Sequence, residues 1–91
     1  MEIEYASSFL RIYKKLHPPV QDGVKEATRK IIDYYTTGHK TLGLGIRHLQ
    51  DNIWEGRYGL QVRILYGLGR DRIKFILAGT HKDIHNFLKH L

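Results

Sequence analysis

The stretch GTHKDIHNFLKHL, Gly79 to Leu91, carries three histidines, His81, His85 and His90. Imidazoles grouped this way serve either as metal ligands or as acid–base groups. The HxxxH spacing of His81 and His85 is that of a helical zinc motif in which a glutamate follows the first histidine. Here Lys82 occupies that place, and a cation beside a prospective ligand opposes an ion. A third ligand would have to come from His90, His48 or a distant carboxylate. The chain has no cysteine, which removes thiolate sites, disulfides and a cysteine nucleophile. The expectation is therefore no metal and no cofactor. For acid–base chemistry the local pattern is better suited. Thr80 reads as a helix N-cap, with Asp83 three residues on as a weak version of a capping box. His81 then falls in the first helical turn, where free amide N–H groups and the positive end of the dipole disfavour imidazolium, so the ring can accept a proton. His85 follows one turn later on the same face. The competing reading makes both histidines solvated residues of a terminal helix that packs through Ile84, Phe87, Leu88 and Leu91.

Arginines supply the second part of the chemistry. In WEGRYGLQVRILYG, Arg57 and Arg63 fall on neighbouring strands, and Arg63 interrupts an otherwise apolar one, where an unpaired guanidinium is costly to bury. It needs an anion, either a phosphate or, as an ordinary ion pair, Glu55 or Asp51. Gly79 ends the next strand, so His81 should emerge at its edge, with Arg72 and Lys74 adding charge along that strand. Trp54, Tyr58 and Tyr66 are expected to supply aromatic surface nearby, and arginine interleaved with aromatics is how single-stranded RNA is held. Fifteen Lys and Arg against nine Asp and Glu give a net charge of +6, which suits a polyanion or an acidic protein as partner.

The elements that must position these groups follow from periodicity. MEIEYA alternates as a short strand. Ser7 or Ser8 can cap a helix with Phe9, Ile12, Tyr13 and Leu16 on one face. Pro18 or Pro19 opens a second helix, with Val20, Val24, Ala27, Ile31 and Tyr34 or Tyr35 as its stripe, and Gly38 ends it. Beyond the Gly-containing connector the period becomes two. Leu60, Val62, Ile64 and Tyr66 form one series and Ile73, Phe75 and Leu77 the next, with Leu65, Ile76 and Ala78 on the opposite face. Turns are expected at Gly59 and in GLGRD. The expected fold is α+β over residues 1–91 as a single domain: an N-terminal strand and helical hairpin on a small antiparallel sheet, in the order β-α-α-β-β-β-α. The first residues have no apolar run, so neither a signal peptide nor a membrane span is expected, and the chain reads as cytoplasmic.

That order, with a W-E-x-R strand, an R-I-L-Y strand and I-K-F-I-L-A-G-T-H leading into a short terminal helix, resembles the RelE/ParE superfamily of toxin–antitoxin toxins over nearly the whole chain. The resemblance implies a metal-independent endoribonuclease that cuts messenger RNA at the ribosome and is silenced in a hetero-oligomer by an acidic cognate antitoxin. By position, Arg63 resembles the arginine that holds the scissile phosphate and Arg57 a second phosphate-facing arginine. His81 falls where members place a catalytic basic residue, and His85 or Phe87 where others have a terminal-helix histidine or aromatic. His48 is similar in place to a histidine of YafQ-like members. Lys14, Lys15, Arg72 and Lys74 are candidate contacts to the RNA backbone, and Trp54 a stacking partner. The ParE branch shares the fold and acts on DNA gyrase, so a non-enzymatic gyrase inhibitor, or an inactive member, is the alternative.

Overall fold

The computed structural model describes residues 1–59 and 62–90. Glu2–Tyr5 forms strand β1, with Ile3 and Tyr5 turned toward the core and Glu2 and Glu4 away from it. Helix α1, Ser7–Lys15, starts from Ala6 with no side-chain cap, because the Ser8 hydroxyl instead donates to the carbonyl of Ile76 at 2.6 Å and ties the helix to the sheet. Helix α2, Pro18–Thr37, has its prolines in the first turn, where the missing N–H costs nothing, and ends at Gly38 with φ 79°. Four strands follow: β2 (Leu44–Gln50), β3 (Ile53–Tyr58), β4 (Arg63–Gly69) and β5 (Arg72–Gly79), and then helix α3 (His81–Lys89).

The α+β class and the order of elements are as expected, with one strand more. Residues 44–58 fold as two strands around a turn at Asp51 and Asn52, where Asp51 takes φ 47°. Aspartate tolerates that left-handed conformation better than most side chains. The sheet is mixed: its order is β1-β5-β4-β3-β2, with an antiparallel meander from β2 to β5 and β1 added in parallel to β5. Leu60, expected in the same strand as Ile64 and Tyr66, and the expected packing residue Leu91 lie outside the described residues.

Two apolar layers hold the sheet. On one face Val24, Ala27 and Ile31 of α2 and Phe9 of α1 pack on Leu44, Ile64, Tyr66, Ile73, Phe75 and Ala78. On the other, Ile84 of α3 packs on Leu65 and Leu77, flanked by Ile12, Ile53, Ile76, Phe87 and Leu88. The side assigned to two β5 residues differs from the plain alternation expected. The ladder shifts register between Leu65 and Tyr66, whose partners are Leu77 and Phe75, so Ile76 is the extra residue of a bulge. Ile76 and Leu77 therefore both face α3, and Ala78 returns to the α2 face with Phe75. Among the described residues no helix is long and apolar enough to cross a membrane.

Helix α2 lies close over β3 because Gly56 has no side chain. A Cβ there would stand 2.6 Å from Cδ1 and 3.0 Å from Cγ1 of the fully buried Ile31. Gly56→Ala is expected to destabilise the fold by about 1–3 kcal/mol, the usual cost of overpacking, read as a lower midpoint in urea or thermal unfolding. An unchanged midpoint would mean that α2 is free to rise from the sheet.

Candidate active site

The start of β4 and the end of β5 set the site. Arg63 pairs across the ladder with Gly79, the last residue of β5, and Thr80 then caps α3. The cap is reciprocal. The Thr80 hydroxyl oxygen accepts the Asp83 N–H at 3.2 Å, and the Asp83 carboxylate accepts the Thr80 N–H and hydroxyl, each at 2.9 Å. This box needs a glycine before it, since a Cβ on Gly79 would stand 2.8 Å from Asp83 Cβ. The helix start is thereby locked, and with it His81, the first residue of the first turn.

Arg63 bridges two partners through one nitrogen. Its Nη1 lies 3.1 Å from Glu55 Oε1 and 3.0 Å from His81 Nδ1. Glu55 is the ion-pair partner, not Asp51, which sits in the β2–β3 turn. The Glu55 side chain is 5% exposed, so its charge is compensated almost wholly from within the protein. Guanidinium has only donors, so Nδ1 of His81 must be the acceptor. In the neutral ring the proton then sits on Nε2, and His81 gains a free lone pair on Nδ1 only when Arg63 withdraws.

Around this bridge two small hollows open on the face of the sheet that carries α3. One, of about 140 Å³, is lined by Gly45, Arg47, Glu55, Arg57 and Arg63. The other, of about 110 Å³, is lined by Arg47, Glu55, His81 and His85 over a floor of Ile84 and Leu88. Arg47 and Glu55 belong to both, so the hollows are two ends of one concave strip. Three guanidinium groups against one carboxylate leave that strip cationic, suited to a phosphodiester. Arg57, His81 and His85 are exposed to solvent.

The structure thus brings Arg57, Arg63, His81 and His85 to one place, and it adds Arg47, for which no role was expected. The available signal was the turn at Asp51 and Asn52, whose hairpin register pairs Arg47 with Glu55.

The other candidates lie elsewhere. His48 and Trp54 stack on each other at 4.6 Å between ring centroids, with His48 Nε2 2.7 Å from the Asp51 carbonyl. Alternation along β3 turns Trp54 and Tyr58 toward α2 and Glu55 and Arg57 away from it. Trp54 and Tyr58 accordingly do not supply the aromatic surface expected beside the arginines. Tyr66 is fully buried on the α2 face, its hydroxyl 2.8 Å from that of Tyr35, and burial pushes its ionisation far above the ordinary tyrosine range. Arg72 sits at the other end of the β4–β5 ladder, opposite Gly69, with Nε 3.5 Å from both Glu2 and Glu4. Six residues along β4 separate that end from Arg63, roughly 20 Å at strand rise. Lys74, exposed, is nearer that end. Lys14 and Lys15 are exposed at the end of α1, which lines neither hollow. Phe87 packs beside Ile12 and Leu77, in a cleft on a different side of α3 from His81 and His85. Among the described residues no three histidine, aspartate or glutamate side chains converge to hold an ion.

At the level of sequence no protein family and no curated protein matches the chain. Solved structures do. A chain of the RelB–RelE antitoxin–toxin complex from Methanococcus jannaschii superposes with a TM-score of 0.68 at 20% identity, over 92% of this chain and 96% of that one. YafQ from E. coli gives 0.69 at 18%, over 91% and 96%. The fold is that of the RelE and YafQ toxins. A YoeB/ParE toxin from Agrobacterium tumefaciens shares it as well, at 0.63 and 18% identity over 89% and 99%. At such identities the likeness is one of backbone architecture, and the RelE-like fold says where a site can be built, while the side chains on it must be argued for themselves.

Proposed function

We propose that this chain is the toxin of a toxin–antitoxin pair and cuts translated messenger RNA at the ribosome as a metal-independent endoribonuclease, with the cytoplasm as its place of action. The observation that carries the reading is the Glu55–Arg63–His81 bridge, set in a cationic strip with Arg47, Arg57 and His85 on a RelE-like fold. The reaction is the attack of an RNA 2′-hydroxyl on the adjacent phosphorus. The 2′-oxygen loses its proton and forms a bond to phosphorus, and the bond to the 5′-oxygen breaks, leaving a 2′,3′-cyclic phosphate and a 5′-hydroxyl.

Each side chain has a part in this. The scissile phosphate competes with Glu55 and His81 for Arg63, and Arg57 and Arg47 add charge for the phosphorane. Withdrawal of Arg63 toward the phosphate frees Nδ1 of His81, which then takes the 2′-hydroxyl proton. Before substrate arrives that lone pair is occupied, so base and phosphate binding are coupled. His85, one turn along the helix and facing the same hollow, returns a proton to the leaving 5′-oxygen. Lys14, Lys15, Arg72, Lys74, His48, Trp54 and Phe87 take no part in the chemical step, and any contact they make to RNA is outside the strip.

The RelB–RelE complex among the similar structures supports a cognate antitoxin, and the net charge of +6 argues that it is acidic. Induction of the chain in a bacterial host should stop growth and produce breaks inside translated messages, mapped by primer extension. Growth arrest with intact messages and lost supercoiling activity would establish the gyrase reading instead. Normal growth on induction would point to an inactive member.

A further inference from the structure

The arginine strip has a direction. Alternate residues of β2 run along it: Gly45 lines one hollow, Arg47 both, and Leu49 the other. Their β3 partners Arg57 and Glu55 follow in the same order, Arg57 in the hollow of Gly45 and Glu55 in both. Two residues of strand advance roughly 6–7 Å, comparable to the span of one nucleotide unit. Helix α3 runs in the same sense. His81 stands against Arg63, and His85, about 6 Å further along the helix axis, lines the hollow of Leu49 and Leu88 and not that of Arg57. The order along the strip is thus Arg57, then Arg63 with His81, then His85. The hollow at the Arg57 end is suited to an anion of its own. Its floor at Gly45 is bare backbone, since a Cβ there would stand 3.4 Å from both Cγ and Nε of Arg57. Among the described residues Glu55 is the one carboxylate lining it, and Arg63 engages that group at 3.1 Å. Arg47 and Arg57 have no ion-pair partner among the described residues. Two free guanidinium forks beside open backbone favour a phosphate.

We propose that the hollow of Gly45, Arg47 and Arg57 seats the phosphate on the 5′ side of the cleaved nucleotide, so that the strip fixes the polarity of its RNA substrate. This polarity rests on the proposed ribonuclease reading, through the base and acid roles of His81 and His85. The attacking 2′-hydroxyl belongs to the ribose on the 5′ side of the scissile phosphate, and the leaving 5′-oxygen to the ribose on its 3′ side. A base at His81 and an acid at His85 therefore set the 5′ nucleotide toward Arg57 and the 3′ nucleotide over the apolar floor of Ile84 and Leu88. Arg47, lining both hollows, reaches either phosphate. Arg57 acts on the phosphorane only through space, and its contact is to the phosphate one unit upstream. Gly45 is the positioning residue: a side chain there would fill the floor and displace the Arg57 stem.

The test titrates the 15N-labelled full chain with two uncleavable isomers of equal charge, a thymidine dinucleotide carrying an extra phosphate at its 5′ end or at its 3′ end. The 5′-phosphorylated isomer is expected to bind about tenfold tighter, the scale of one charge-assisted contact, and to shift the amides of Gly45 and Arg57. Arg57→Ala, at an exposed site, should keep the melting temperature and bring the two isomers to equal affinity, and Arg57→Lys should restore part of the preference. Gly45→Val, on the edge strand β2, should also abolish the preference with Arg57 still in the chain. Equal affinity of the two isomers for the wild-type chain, tighter binding of the 3′-phosphorylated one, a preference that survives both Arg57→Ala and Gly45→Val, or no binding of either isomer would overturn the proposal. Cleavage is read separately, on RNA. A chain that cuts RNA but prefers the 3′ isomer keeps the ribonuclease reading and loses this polarity. One that prefers the 5′ isomer and cuts nothing keeps the phosphate seat and loses the ribonuclease reading.

Discussion

Arg63→Ala is expected to slow single-turnover RNA cleavage about a hundredfold, the scale of one lost contact to transition-state charge. The same substitution should lower stability, because it leaves the nearly buried Glu55 carboxylate without the guanidinium 3.1 Å away. A buried acceptor stripped of its partner costs about 1–3 kcal/mol. Rate and stability therefore fall together in this variant, and Arg63→Lys separates them. Lysine returns a cation to the neighbourhood of Glu55 and should recover much of the melting temperature. As a compact ammonium on a flexible stem it does not keep the fixed placement by which the Arg63 Nη1 faces Glu55 and His81 together, so most of the rate should stay lost. The measurement is cleavage rate beside thermal unfolding for both variants. If Arg63→Ala cuts RNA at the wild-type rate while its melting temperature falls, Arg63 is only the structural counter-ion of Glu55, and the chemistry must be sought elsewhere.

That ambiguity was already present in the sequence, where a cation inside an apolar strand asked for an anion without saying which. Local signals read well. Pro18 and Pro19 open α2, Gly38 closes it with φ 79°, and Thr80 with Asp83 makes the full capping box that places His81. Each depends on residues a few positions apart, so the chain states them directly. What escaped were properties set by partners distant in sequence. The parallel addition of β1 to β5 is one of these. The bulge at Ile76 is another, since it exchanges the faces of Leu77 and Ala78 with no glycine to announce it. The hairpin around Asp51 and Asn52 likewise uses an aspartate at φ 47° where a glycine would have been legible. Without that hairpin, Arg47 was invisible as a neighbour of Glu55. Trp54, Tyr58 and Tyr66 were placed near the arginines in sequence, but alternation sends them to the far side of the sheet.

His81→Ala should give the second large loss, again about a hundredfold, the usual scale for removing one acid–base group, and its signature is in the pH profile. A base acts in its unprotonated form, so the wild-type rate falls as acid protonates the ring, and two things fail together. Nδ1 no longer takes the 2′-hydroxyl proton, and a protonated ring no longer accepts from Arg63, which then faces a second cation at a site now 3.0 Å from it. Removing the ring removes that acidic limb, so the variant should be slow but nearly flat across it. His85→Ala should instead erase the alkaline limb, where the proton donor is lost. Neither substitution touches the buried layer around Ile84, and both histidines are exposed, so folding should be unaffected. Single-turnover cleavage against pH for the three proteins decides it. A His81→Ala variant with the wild-type rate and the wild-type acidic limb would make His81 a solvated residue of a terminal helix whose contact with Arg63 serves only to orient the arginine.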